Sequence, residues 1–144
     1  MKLWRISSFA DLSGRGGLLA EGRWHRRGVP IVYCSDHPST ALLEILVHVD
    51  LEDIPVHFQL LTIRCPDTLA VTTVEANDER LSDPAETRNI GTEWLAAGET
   101  CLLKAPSIIL PEAANVLINP RQADAESIVI EKSVRRRFDE RFFR

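Results

Sequence analysis

No stretch of the 144-residue chain comes near the roughly 20 consecutive apolar residues that a membrane-spanning helix requires, so no membrane association is expected. The opening residues, Met1-Lys2-Leu3-Trp4-Arg5-Ile6-Ser7, lack the apolar core of a secretory signal, and a cytoplasmic protein is expected. Cysteine is scarce. Cys34, Cys65 and Cys101 are odd in number and widely spaced, which gives neither a disulfide framework nor a zinc-ligand pattern. Buried free thiols in a reducing compartment are the expectation. The histidines, His25, His37, His48 and His57, share no metal-ligand spacing with those cysteines, and no metal is expected. Basic charge is also short. The 17 Lys and Arg face 21 Asp and Glu, for a net charge of −4, and an acidic body repels phosphate, which speaks against a direct nucleic-acid binder. Missing too are Gly-x-Gly-x-x-Gly, a phosphate-binding loop ending in Gly-Lys-Ser, and His-Glu-x-x-His, while Gly14-Arg15-Gly16-Gly17 is too short and isolated to replace them.

What is present is a globular composition. An apolar fraction of 44% and a charged fraction of 26% suit a soluble protein, and a chain of this length buries a core without staples. Residues 1–144 read as one domain, with no repeat or linker. Residues 3–7 alternate and predict a first strand. Residues 13–17 and 28–30 read as turns, the second launching a β-branched strand over 31–34. Ser35 or Asp36 can cap a helix with Pro38 in its first turn, and Ala41, Leu42, Ile45, Leu46 and Val49 continue it as an apolar stripe. Residues 56–64 predict a longer strand. Asp83-Pro84-Ala85-Glu86 reads as a capping box opening a helix that stops at Gly98. Residues 101–104, 107–110 and 127–130 are further strand candidates. Many strands with few helices, not in strict alternation, give an α+β class. The end of the chain, where Arg135-Arg136-Arg137-Phe138-Asp139-Glu140-Arg141 mixes both signs with an aromatic, reads as an ordered tail on the body rather than a polybasic arm.

Four blocks carry candidate chemistry. Gly22-Arg23-Trp24-His25 leads through Gly28-Val29-Pro30 to the only tyrosine, Tyr33. An arginine fork grips phosphate oxygens and rings stack on a flat heterocycle, so this block suits a nucleotide. The bland alternative is an exposed basic loop with Trp24 plugging the core. Glu44 lies off the centre of its helix's apolar stripe, one turn from His48. A solvated carboxylate is the plain reading. Glu44 becomes a means of favouring positive charge on a sugar only if neighbouring segments close over it. Ser107 stands between Pro106 and Pro111 without a Gly-x-Ser-x-Gly elbow, so it reads as a turn serine and not as a hydrolase nucleophile. Asn115-Val116-Leu117-Ile118-Asn119-Pro120 reads as an apolar segment ending in a turn, with structural asparagines.

Taken together and in order, these blocks resemble the RES family, the toxin half of a bacterial toxin–antitoxin pair, named for an arginine, a glutamate and a serine. The likeness begins at Leu3-Trp4-Arg5-Ile6-Ser7 and runs through Gly22-Arg23-Trp24, Gly28-Val29-Pro30-Ile31-Val32-Tyr33 and Ala41-Leu42-Leu43-Glu44. It continues through Trp94-Leu95, Leu102-Leu103-Lys104-Ala105-Pro106-Ser107 and Leu117-Ile118-Asn119-Pro120, to Arg137-Phe138-Asp139-Glu140-Arg141. Ala105 departs from an expected valine, and Gln122 and Ala123 stand where a histidine and a proline are expected. The resemblance implies a fold similar to ADP-ribosyltransferase toxins, with an NAD⁺-sized cleft between two small sheets. It implies that Arg23, Glu44 and Ser107 match the naming trio, with Tyr33 a further site residue and Arg5 a second candidate for the dinucleotide. It implies an NAD⁺ glycohydrolase, or a phosphorylase with inorganic phosphate as co-substrate, with no cofactor and with NAD⁺ as the substrate. It also implies a hetero-oligomer with a Xre-type, helix-turn-helix DNA-binding antitoxin. Transfer of ADP-ribose to a protein, and a non-catalytic binding module, stay open beside that reading.

Overall fold

The computed structural model describes residues 1–143, so Arg144, the last residue of the expected tail, lies outside the described residues. The strands are β1 (Lys2–Ile6), β2 (Val32–Ser35), β3 (His57–Arg64), β4 (Val71–Thr73), β5 (Leu102–Pro106), β6 (Ala114–Ile118) and β7 (Val129–Arg137). The helices are α1 (Gly16–Leu19), α2 (Pro38–Leu46) and α3 (Pro84–Ala97), with short 3₁₀ turns between. All the strands join one seven-stranded sheet in the order β4-β5-β6-β2-β1-β3-β7. Only β4 and β5 pair in parallel. No helix among the described residues is long and apolar enough to cross a membrane.

The mixed α+β architecture agrees with the sequence, but the two small sheets are one sheet with a seam. β1 pairs along its whole length with β3, and β2 along its whole length with β6. Across the seam β1 and β2 share one pair, Trp4 with Ser35. Beyond that pair the ladder stops. Arg5 bridges the gap, its Nη1 donating to the Tyr33 carbonyl at 3.0 Å in place of a backbone partner. The interrupted seam is where a cleft can open into an otherwise continuous sheet.

The sheet buries both faces near its centre. Leu3, Val32, Leu61, Ile63, Val116 and Ile118 share one cluster, which draws both halves of the sheet around a common core. Leu103, Ala105 and Leu117 point the other way, into a second cluster with Trp24 and Trp94, covered by α3. Burial on both faces explains why β5 and β6 are mostly apolar without strict alternation, interrupted only by the exposed Lys104 and by Asn115.

Several expectations need correcting. Residues 107–110 are not a strand: β5 ends at Pro106, and the Ser107 hydroxyl accepts the N–H groups of Ile109 (3.2 Å) and Leu110 (3.3 Å), which turns the chain. Residues 16 and 17 open the one-turn α1 instead of completing a turn. The cap of α2 is neither Ser35 nor Asp36. Ser35 is still in β2, Asp36 accepts the Ala114 N–H, and the His37 ring accepts the Ser39 N–H. α3 behaves as expected: Asp83 caps it by accepting the Ala85 N–H at 2.9 Å, and Gly98 ends it in the left-handed region at φ 61°. The mixed-charge tail is ordered as far as the described residues go, because β7 pairs with β3 as far as Arg137 and the buried Phe138 ring sits 4.5 Å from Phe58.

All three cysteines are buried and free. Burial pushes the Cys34 thiol up to about 12, so little reactive thiolate exists near neutrality. Iodoacetamide is expected to leave Cys34, Cys65 and Cys101 unlabelled in the folded protein and to label all of them in denaturant. Labelling under native conditions, read by mass, would contradict this packing.

Candidate active site

A cavity of about 430 Å³ opens at the seam. Trp4, Arg5 and Ile6 of β1 form one wall and Tyr33 and Ser35 of β2 the facing one. Ala41, Glu44 and Ile45 of α2 lie across it, because positions three and four apart share a helix face. The helix thus divides its apolar stripe between the body and the cleft, which brings Glu44 to the cavity although it lies off the stripe's centre. Arg23 stands exposed at the rim, and the turn after Ser107 adds Ile108 and Ile109.

Glu44 is half-buried, and one carboxylate oxygen is fixed twice. Ser107 Oγ donates to Oε1 at 3.0 Å, and Asn115 Nδ2 donates to the same atom at 2.9 Å. Ser35 Oγ supports Asn115 in turn, donating to Oδ1 at 3.1 Å. Among the described residues Oε2 takes no protein hydrogen bond. Glu44 is therefore neither a solvated surface group nor the partner of His48, although His48 also lines the cavity. Ser107 is only 2% exposed, and its hydroxyl is fully used. It holds Glu44 in place and stands behind it.

The turn carrying Arg23 is held from below. Gly22 and His25 form a backbone bridge with Arg23 and Trp24 at its tip. Buried Thr87 of α3 donates to the Arg23 carbonyl at 2.8 Å. Trp24 is 2% exposed and fills the second core cluster, so it does not stack on a ligand. Its plug role is the bland reading of the sequence, whereas Trp4 and Tyr33, which also line the cavity, are half-buried instead of sealed in the core. Tyr33 Oη accepts the Trp24 N–H at 3.2 Å and lies 2.7 Å from His25 Nδ1. Burial raises the pKa of this phenol well above that of a free tyrosine.

The structure thus gathers Arg5, Arg23, Tyr33, Glu44 and Ser107 around one cleft, although they are spread over some two-thirds of the chain. Sequence reasoning missed Asn115, Ser35, Trp4 and His25. A polar residue inside the apolar run of residues 114–118 was the available signal for Asn115. Asn119, by contrast, is structural as expected: it donates to the Leu95 carbonyl and accepts the Arg121 N–H.

The family model described as RES domain matches residues 2–139. The chain is 45% identical over 134 residues to a protein of Pseudomonas putida named Toxin Res, covering 91% of this chain and 92% of that one. It is 35% identical over 154 aligned positions to the Prs ADP-ribosylating toxin of a Sphingobium species, covering 98% and 96%. In fold it is similar to a chain in the crystal structure of the M. tuberculosis MbcT–MbcA toxin–antitoxin complex, with a TM-score of 0.75, 17% identity, and coverage of 94% of this chain and 84% of that one. With the family model spanning nearly the whole sequence and close relatives matching end to end, the chain belongs to the RES-domain family.

Proposed function

We propose that this chain is the toxin of a bacterial toxin–antitoxin pair and that it cleaves the nicotinamide–ribose bond of NAD⁺. The observation that carries the chemistry is the Glu44 carboxylate, held at one oxygen by Ser107 and Asn115 in the wall of a cavity rimmed by Arg23. The cavity falls in the size range of small-molecule sites. The Trp4 ring on the β1 side and the Tyr33 ring on the β2 side suit a nicotinamide ring, and Arg23 suits the pyrophosphate, with Arg5 a second candidate. The names of the relatives support the toxin reading, and the fold shared with a chain of a toxin–antitoxin complex supports an antitoxin partner, for which a Xre-type DNA-binding protein is our choice.

NAD⁺ carries its own leaving group, since nicotinamide departs neutral from a positively charged nitrogen. As the C1′–N bond breaks, its electron pair goes to the ring and positive charge builds on the ribose. A carboxylate fixed beside that carbon stabilises the charge as it develops, without reorganising. Attack by water then gives ADP-ribose and a proton, and attack by inorganic phosphate gives the 1-phosphorylated sugar. Ser107 acts through Glu44, because its hydroxyl has no capacity left for the substrate.

Purified chain incubated with NAD⁺, with and without phosphate, tests the proposal. Nicotinamide release in either condition is expected, and the phosphate dependence assigns the acceptor. The name of the Sphingobium relative favours a second reading, transfer of ADP-ribose to a protein. Label moving from NAD⁺ onto a protein acceptor, with no free sugar product, would replace hydrolysis or phosphorolysis by that transfer. No release and no labelling, from folded chain, would overturn both.

Asn115→Ala gives a separate check on the carboxylate. It removes one of the two donors that fix Oε1, and kcat is expected to fall by at least about tenfold, the scale of one hydrogen bond to a charged group. An unchanged kcat would mean that turnover does not depend on a carboxylate held in this way.

A further inference from the structure

The Tyr33 hydroxyl is committed to the protein. His25, 3% exposed, places Nε2 2.9 Å from the Ala20 carbonyl. A carbonyl only accepts, so Nε2 carries the proton, and in the neutral ring Nδ1 is then an acceptor. Tyr33 therefore donates its proton to His25 Nδ1 at 2.7 Å and accepts the Trp24 N–H at 3.2 Å. Both partners belong to the turn that carries Arg23. Gly22 closes it, its N–H donating to the His25 carbonyl at 3.2 Å, and a Cβ on Gly22 would stand 2.5 Å from Tyr33 Oη. A four-residue turn is thus wrapped around one hydroxyl, with Arg23 at its tip and its guanidinium free of any protein partner among the described residues.

We propose that Tyr33 and His25 are positioning residues, a clamp that fixes the turn presenting Arg23, and that the Tyr33 hydroxyl serves this turn and not the reacting sugar. The inference rests on the reading of Arg23 as the group that binds the pyrophosphate. Its chemistry is local. Without the hydroxyl, the Trp24 N–H and His25 Nδ1 lose their partner, the turn loosens, and a long exposed arginine samples more orientations before it meets a phosphate. The clamp therefore acts on binding, while Glu44 acts on bond breaking.

Tyr33→Phe keeps the ring and removes both bonds. It is expected to raise KM for NAD⁺ about tenfold, the equivalent of one unmade buried hydrogen bond, and to leave kcat within about twofold. In an Arg23→Ala background the same change is expected to have no further effect on KM, which a general loss of structure would not reproduce. His25→Gln, whose amide can both donate and accept, is expected to retain most of the wild-type KM, and His25→Phe to match Tyr33→Phe. Because Tyr33 is the only tyrosine, a chain labelled with ¹³C at the phenol carbon gives one resonance that reads the clamp without any nucleotide. That resonance is expected to shift in His25→Phe, and the Trp24 amide to lose hydrogen-exchange protection in Tyr33→Phe. A fall in kcat at constant KM would overturn the proposal, as would full additivity with Arg23→Ala or an unmoved phenol resonance. Wild-type chain that releases no nicotinamide would instead sink the functional reading, with the resonance and exchange measurements still deciding whether the clamp exists.

Discussion

Glu44→Gln is expected to lower kcat for NAD⁺ cleavage by roughly 10²–10³-fold while leaving KM within about threefold. Glutamine has the shape of glutamate and still offers an oxygen to Ser107 and Asn115, so the local packing survives. What it lacks is the negative charge. In the ground state NAD⁺ carries its positive charge on the nicotinamide nitrogen; as the bond breaks, that charge moves to the ribose, and a carboxylate held at the cavity wall meets it more strongly in the transition state than before. Such an interaction appears in kcat and hardly in substrate affinity. Steady-state kinetics on the purified variant checks this. An equal rise in KM with kcat preserved would make Glu44 a binding group and return the chemistry to another residue.

Gly91→Ala is expected to cost at least about 3 kcal/mol of stability, or about 10 °C in melting temperature for a domain of this size. A Cβ at Gly91 would lie 1.6 Å from the Trp24 carbonyl oxygen and 2.6 Å from its carbon. Neither atom belongs to a flexible side chain, so the strain is relieved only by separating α3 from the turn that carries Arg23. The sequence accepts glycine inside a helix, a penalty of about 1 kcal/mol against alanine, to make this approach. Gly16 provides the contrast: it also lies in a helix, nothing lies within 4 Å of its absent Cβ, and Gly16→Ala is expected to be neutral or mildly stabilising. Thermal melts of the two variants decide the matter, and a Gly91→Ala protein as stable as the parent would contradict the α3 packing described above. The same displacement should weaken NAD⁺ binding in whatever fraction stays folded, since Trp24 and Arg23 move together.

The regular elements were largely legible because their signals are local. Asp83 before Pro84 and Gly98 at the far end bound α3 by capping alone, and the alternating and β-branched runs locate β1, β2 and β3 to within a residue or so. The sheet's continuity was not legible, since its two halves meet at one pair, Trp4 with Ser35, and nothing in either strand announces that partner. β4 was missed because all of its residues are exposed and it has little apolar patterning to read. The family likeness named Arg23, Glu44 and Ser107, while periodicity by itself assigned Glu44 to solvent. Its actual partners lie 63 and 71 residues away, and no local pattern encodes contacts of that span. Ser107 is the turn serine that the flanking prolines suggest, and only the strand expected over residues 107–110 fails, an expectation that rested on the apolar Ile108, Ile109 and Leu110. They are exposed instead, on a turn shaped by the serine's own hydroxyl, where they line the mouth of the cleft or stand beside it.

On the proposed function, the cleft at the seam holds NAD⁺ with its nicotinamide ribose against Glu44, and a crystal structure of Glu44→Gln soaked with intact NAD⁺ would show it. The expected density has the ribose C1′ beside residue 44, the nicotinamide against Trp4 and Tyr33, and the pyrophosphate on Arg23. A dinucleotide bound elsewhere, or a cleft left empty at saturating NAD⁺ in crystals where it is open to solvent, would contradict the account.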